Sequence, residues 1–447
     1  MITRIIIRRV FCNRFLSMTS EPPEISCSGG LPGSCRQDST SMGSTFSSNN
    51  NWIRTPYDTD LWSKRQSTPK GCIEFGFLSW NILSQDLIDV HRYLYSQCYW
   101  QDLEWVNRWD RIKQTISQRD LKIICLQEVN NTHYFEQVKP FMEGLGFKSL
   151  YKKRGGEKKD GCAVFYDPTV FILEGSAGID FNRDFVSEEQ SRENVAIIAK
   201  FKSTDLRNHR RLIVATTHLL FNPKRGDIKL AQLRILMAEL QKWARRSSSP
   251  DKLHPIILAG DFNTQPHSPL YDFIVKGCIE PIGWRKGELS GQRCHPGRTM
   301  ETKDIFLRGV DLQCSFLPEV NGFSQMNGWS SRHNDNNDSN DSHPNLQDKS
   351  EVINIDDQDK PMINHRFKFV SVFPACHPRN NVPFVSSRIQ GEASLVDHLF
   401  YMASDKLVCL GYKPLPTLQQ VAEDGMIPSK SNPSDHFALQ AKFLLTP

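Results

Sequence analysis

Pro255-Ile256-Ile257-Leu258-Ala259-Gly260-Asp261-Phe262-Asn263 carries the chain from an apolar run directly onto an acid and an amide. A run this short, rich in isoleucine and closed by a turn residue, reads as a core strand and not as a helix. Leu121 to Leu126 repeats the pattern and ends on Gln127-Glu128, while Ile73 to Trp80 ends on Asn81 and Arg211 to Thr217 ends on His218. A strand that runs out at the rim of a sheet holds its last polar side chain rigidly while leaving one face wet. That suits a metal-assisted active site.

Working outward, Leu103 to Ser117 carries Trp105, Val106, Trp109, Ile112 and Ile116 at helical spacing, and a second helix is expected around Tyr134 to Leu145. An Asp160-Gly161 turn is expected to lead into a strand over Cys162 to Tyr166, followed by one over Val195 to Phe201. From Asp227 a long helix sets Leu230, Leu233, Leu236 or Met237, Leu240 and Trp243 on one face. Strand character returns at Phe367 to Phe373, Leu395 to Tyr401, Lys406 to Leu410 and His436 to Leu444. Helices between strands in both halves predict an α/β fold, a four-layer αββα sandwich of two packed mixed sheets with outer helices and the acids on one edge.

Residues 17–66 are rich in Ser, Gly, Pro and Asn with almost no apolar period, so 1–66 reads as a disordered tail and 67–447 as the catalytic domain. A polar insertion is expected at about 285–368, with its most polar tract at 327–360. Hydrophobic content of 38%, with 26 Phe and 9 Trp, suffices for a core despite a mean hydropathy of −0.47. A net charge of +5 on 447 residues is too small to imply nucleic-acid binding, which must rest on local patches. The 12 cysteines stand singly with no C-x-x-C pair, which argues against a zinc module and fits a reducing compartment. No run approaches a transmembrane length, so no membrane partner is expected. Arg4, Arg8, Arg9 and Arg14, with no acid before Glu21, read either as a mitochondrial presequence or as a basic tail. Cytoplasm, mitochondrion and nucleus all stay open, as does the oligomeric state.

Asn81 in S-W-N-I-L, Glu128 in L-Q-E-V, His218 in T-T-H-L, Asp261 and Asn263 in G-D-F-N, Asp397 in V-D-H-L-F and Asp435-His436 in S-D-H follow one another along the chain. In this order they resemble the motifs of the endonuclease/exonuclease/phosphatase superfamily. Trp80 to Leu87 and Thr217 to Asp227 are similar to the Angel proteins, relatives of nocturnin and of the carbon catabolite repressor deadenylases. The resemblance spans roughly residues 71 to 445; each motif alone is weak, and the set in register is specific.

The resemblance implies a Mg²⁺ site, with Mn²⁺ as a substitute, at Glu128 with Asn81 and Asp435, since a hard cation takes carboxylate oxygens. Asp261 is expected to accept the proton of an attacking water, with a second metal at Asp261 an open alternative, Asn263 to hold the phosphate, and His436 with Asp397 to form a dyad whose carboxylate favours the cationic imidazole. His218 is expected to face the scissile phosphate, and Asn222, Lys224 and Arg225 to contact the substrate backbone. Lys152-Lys153-Arg154 and Lys158-Lys159 form a second basic patch that reads equally as solvated loop charge. Without a leucine-rich repeat array ahead of Gly71, stable membership of a deadenylase complex is not implied. The implied function is a magnesium-dependent phosphoesterase at RNA 3′ ends, either a 3′-5′ exoribonuclease removing poly(A) or a 2′,3′-cyclic phosphate phosphatase. The alternatives are a catalytically idle RNA-binding adaptor and a small-molecule nucleotide phosphatase.

Overall fold

Ile73–Asn81 and Leu121–Asn130 are apolar on both faces, the pattern of strands covered on both sides. The computed structural model describes residues 52–54, 71–183, 186–188, 190–205, 210–247, 249–291, 297–317 and 360–447. The strands that build the site are β1 (Ile53–Arg54), β2 (Ile73–Asn81), β3 (Leu121–Asn130), β4 (Lys148–Lys153), β5 (Asp160–Tyr166), β6 (Phe171–Asp180), β7 (Val195–Ser203) and β8 (Arg211–His218). They continue with β9 (Ile256–Asp261), β10 (Phe369–Ser371), β11 (Asp397–Met402), β12 (Leu407–Tyr412) and β13 (Leu439–Leu445). One sheet has seven strands in the order β1-β12-β13-β2-β3-β5-β4, the other six in the order β10-β11-β9-β8-β7-β6.

Each sheet is antiparallel except at one central pair, β2 with β3 and β8 with β9. A parallel pair needs a crossover, and here each crossover carries a helix: α1 (Trp105–Ile116) and α2 (Gly226–Ala244). Alternate side chains of both sheets, among them Phe77, Ile123, Val164, Ile197, Val214, Ile257, Leu399 and Phe443, meet in one core between the sheets. The opposite face of the first sheet buries Leu78, Trp80 and Ile124 against Trp109, Ile112 and Ile116 of α1. The opposite face of the second buries Ile198, Ala215 and Leu258 against Leu233, Leu236 and Leu240 of α2. Helix, sheet, sheet, helix is the expected four-layer sandwich.

Local corrections follow from packing. The helix expected from Leu103 begins at Trp105, because Glu104 is extended and serves as its first carbonyl acceptor. Asp160-Gly161 is not a turn but the start of β5; a Cβ at Gly161 would lie 2.3 Å from the Lys152 carbonyl oxygen, so the glycine lets β4 approach. Strand structure at 367–373 is confined to β10, and β13 begins at Leu439, leaving His436 in the approach to it. Helix α2 is buried almost all round and not on one face, since residues 297–317 cover it: the buried Arg234 donates to the carbonyls of Ile305, Val310 and Asp311. Thus the described parts of the 285–368 insertion contribute core side chains, including Leu289, Met300, Leu307 and Phe367. Residues 318–359 lie outside the described residues, as does 1–66 apart from 52–54. In that last stretch Ile53–Arg54 pairs with Gly411 and Tyr412 at the sheet edge, and Lys413 and Lys442 lie 5.6 and 5.1 Å from the Trp52 ring centroid. Among the described residues no helix is long and apolar enough to cross a membrane.

Candidate active site

Because β2, β3, β8 and β9 carry the two parallel pairs, their C-terminal ends deliver Asn81, Glu128, His218 and Asp261 to one rim. The antiparallel neighbours enter the sheets at the same rim. Asp397 opens β11 directly opposite Asp261, and His436 lies three residues before β13. Gln127, one residue before Glu128, crosses between the sheets to donate to Thr216 Oγ1 at 2.9 Å and ties the two halves together.

The side chains converge. Asn81 Nδ2 donates to Glu128 Oε1 at 2.9 Å and to Asp261 Oδ2 at 3.1 Å, while its Oδ1 accepts the Leu83 amide. His218 Nε2 lies 3.5 Å from Asp261 Oδ2 and 3.9 Å from Glu128 Oε1. His436 Nδ1 sits 2.7 Å from Asp397 Oδ2, with its Nε2 3.8 Å from Asp261 Oδ2. Ser386 Oγ donates to the same Asp397 oxygen, and the Trp80 ring nitrogen holds the His436 carbonyl at 2.9 Å. Leu83, Glu128 and Asn263 all have left-handed backbones, with φ of 57°, 54° and 49°. For non-glycine residues this conformation is uncommon and clusters where function demands it. At Glu128 the β3–β5 register shifts between Leu126 and Val129, a bulge that re-aims the side chain, and the Ser84 amide donates to Glu128 Oε2.

Burial raises both central carboxyls. Glu128 is pushed up to about 8 by desolvation, then by Asp435 and Asp160, against the Asn81 amide and His436. Asp261 is pushed up to about 7 by desolvation and Asp397, against His436 and the bonds from Asn263 and Asn81. His218 is held well below its ordinary value by burial, with Arg154 and His436 adding repulsion, so it is neutral. Burial also works against the charged His436, yet the Asp397 and Asp435 carboxylates and the hydrogen bond to Asp397 outweigh it and hold the imidazole well above its ordinary value. Two buried carboxylates that resist ionisation, with the neutral His218 imidazole beside them, form a donor set that suits a divalent cation. Ligand atoms of Glu128, His218 and Asp261 lie within 4.8 Å of one another, as do those of Asp261, Asp397 and His436. The acidic and histidine side chains are therefore placed to hold a metal ion.

Other expected residues sit differently. Asp435 sits in the loop before β13; its Oδ2 accepts from the Tyr95 hydroxyl at 2.8 Å and its Oδ1 is 3.9 Å from His436 Nε2. Asn263 donates its side-chain amide to the Leu219 carbonyl at 3.1 Å, and its backbone amide donates to Asp261 Oδ1. Asn222 Oδ1 accepts the Lys224 amide, with both residues exposed. Arg225 is tied to Asp227 through two nitrogens, which anchors the start of α2. Arg154 is no solvated loop charge: its half-buried side chain lies 3.4 Å from the buried Asp160, and its charge reaches His218. Tyr95, Asp160, Ser386 and Lys229 carried no signal in the sequence, since each meets the site only through contacts distant along the chain.

The profile of the Endonuclease/Exonuclease/phosphatase family matches residues 78–285. Protein angel homolog 2 of Homo sapiens is 32% identical over 389 residues, covering 83% of this chain and 69% of that protein. The chain belongs to the endonuclease/exonuclease/phosphatase family, in its Angel group. Protein angel of Drosophila melanogaster is 33% identical over 265 residues, covering 57% of this chain and 71% of that protein. Among solved structures, that of ANGEL2, a 2′,3′-cyclic phosphatase in complex with adenosine-2′,3′-vanadate, aligns with a TM-score of 0.70 at 31% identity, covering 84% of this chain and 97% of ANGEL2. As a member of the endonuclease/exonuclease/phosphatase family, the chain is a phosphoric ester hydrolase.

Proposed function

We propose that this hydrolase opens 2′,3′-cyclic phosphates at RNA 3′ ends with the help of Mg²⁺, Mn²⁺ serving as a substitute. The observation that carries the reading is the convergence of Asn81, Glu128, His218, Asp261, Asp397 and His436 within hydrogen-bonding and ion-pairing distances at one rim. It is supported by the likeness to ANGEL2, whose described activity is 2′,3′-cyclic phosphate hydrolysis. Glu128 would hold the cation, with Asn81 fixing its carboxylate without adding charge. A divalent ion bound there supplies charge neutralisation for the phosphoryl oxygens. Asp261, pushed up to about 7, is matched to accepting a proton from water near neutral pH. The water oxygen then bonds to phosphorus as one ribose P–O bond breaks, and the cationic His436 gives its proton to the departing ribose oxygen. Asp397 keeps that imidazole charged and oriented. Neutral His218 lines the same space without repelling a cation.

The test uses the full chain and two end-labelled RNAs, one ending in a 2′,3′-cyclic phosphate and one in a 3′-hydroxyl poly(A) tract, each with Mg²⁺ and with chelator. Metal-dependent opening of the first without shortening is expected; shortening of the second would replace the reading with an exonuclease. Inertness towards both would favour a small-molecule substrate or an adaptor role. Glu128→Gln removes charge but little volume and should cut metal-dependent turnover by roughly 1,000-fold while RNA binding persists.

A further inference from the structure

Lys229 on α2 is fully buried, yet an unpaired ammonium inside a protein is costly. It crosses the core behind the rim, and its Nζ donates to the Asn263 carbonyl at 2.7 Å. Asn263 is in the left-handed region, and its side-chain amide reaches the Leu219 carbonyl; the Leu219 amide in turn donates to the Asp261 carbonyl at 2.9 Å. One helical turn on, Gln232 Oε1 accepts the Leu220 amide at 3.0 Å, and Gln232 Nε2 donates to Asn194 Oδ1 at 3.2 Å. Asn194 Nδ2 closes the circuit on the His218 carbonyl at 3.0 Å. Two side chains of a single buried helix thus grip both segments that leave β8 and β9.

We propose that Lys229 is a positioning residue of this site, an internal ammonium clamp that holds the left-handed Asn263 backbone and thereby sets Asp261 against His218. The inference rests on the phosphoester-hydrolase reading of the rim, and not on which ester is cleaved. Burial presses the Lys229 ammonium down to about 7, and the Asp261 carboxylate is the charge that opposes this. A methionine would fill the same channel more cheaply, so stability alone does not account for a lysine here. Acting through Asn263 and never touching substrate, the clamp should govern turnover and leave ground-state binding alone.

The experiment compares the full chain with Lys229→Met, Lys229→Gln, Asn263→Ala and the Lys229→Met/Asn263→Ala double variant on a 2′,3′-cyclic nucleotide and on bis(p-nitrophenyl) phosphate. Lys229→Met is expected to lower kcat roughly 10- to 100-fold with KM within about twofold, as for the loss of one buried charge-assisted hydrogen bond. Lys229→Gln, which keeps an N–H donor, should recover part of the loss. Asn263→Ala keeps the main-chain carbonyl that Lys229 holds and loses the side-chain bond to Leu219; because both bonds fix the same loop, the double variant should lose less than the product of the two single losses. Multiplying losses, an unchanged kcat, or an effect confined to KM would overturn the clamp. Hydrogen exchange supplies a readout independent of turnover: Lys229→Met and Lys229→Gln should exchange faster than the parent in residues 217–222 and 260–266. Unchanged exchange in both segments would also overturn it. If the parent chain cleaves only the aryl diester, the cyclic-phosphate reading fails while the Lys229 comparison still decides; if it cleaves neither, the exchange result decides alone.

Discussion

At Glu128 and Asp261 the cost of burial is written into the carboxyls themselves. Both keep their protons in the folded chain to higher pH than in the unfolded chain, where values near 4 apply. Between about pH 4 and 8 the unfolded state has therefore shed protons that the folded state retains, and metal-free stability should fall as pH rises through that window. A divalent cation displaces those protons, so its stabilising effect should grow with pH. Melts of chelator-treated protein at pH 6, 7 and 8, with and without Mg²⁺, should show a metal-induced rise in Tm that is largest at pH 8. A rise largest at pH 6 would contradict this, and Glu128→Gln should flatten the trend. His436 likewise keeps its proton to higher pH in the folded chain, but there the retained form is the charged one: Asp397 holds it charged, so Asp397→Asn should bring its pKa down and move the alkaline limb of kcat/KM to lower pH, with roughly a 100-fold loss of rate. A pH–rate profile with an unmoved alkaline limb would remove His436 as the acid.

Between elements, β9 runs against β8 with no room for a side chain at Gly260. Gly260 has φ of 144°, and a Cβ there would lie 2.0 Å from the Thr217 carbonyl oxygen, so no side chain fits. Gly260→Ala should destabilise the fold by about 3 kcal/mol and cut activity even where the protein still folds, because the strand must shift under Asp261. Denaturant titration and turnover on the same sample test both parts. The strand ends were legible in the sequence because apolar runs closed by polar residues report directly on buried strands, and Asn81, Glu128, His218, Asp261, Asp397 and His436 were all found this way or through the motifs they carry. The surroundings of α2 were not. Its period shows one apolar stripe, whereas Lys229, Gln232 and Arg234 are buried and bonded to Asn263, to Asn194 and Leu220, and to Ile305, Val310 and Asp311, segments that no local pattern connects to it. Tyr95 meets Asp435 across 340 residues and is equally silent in the sequence.

Over the whole molecule, the short strand β1 extends the seven-stranded sheet upstream of the stretch where continuous order was expected to begin. A variant lacking residues 1–66 should therefore melt about 1–3 °C below one lacking only 1–51, the effect of losing a small edge contact in a large domain. Equal melting temperatures would show that the edge pairing contributes nothing. The two parallel pairs have a larger consequence. Asn81 and Glu128 ride on one sheet, His218 and Asp261 on the other, so the constellation exists only while the halves stay in registration. A slip of one strand residue, about 3.3 Å, equals the separation of the groups themselves. The rim is in this sense a vernier scale: turnover reads the alignment of the two halves more finely than any measure of their secondary structure, and under mild denaturant it should disappear first.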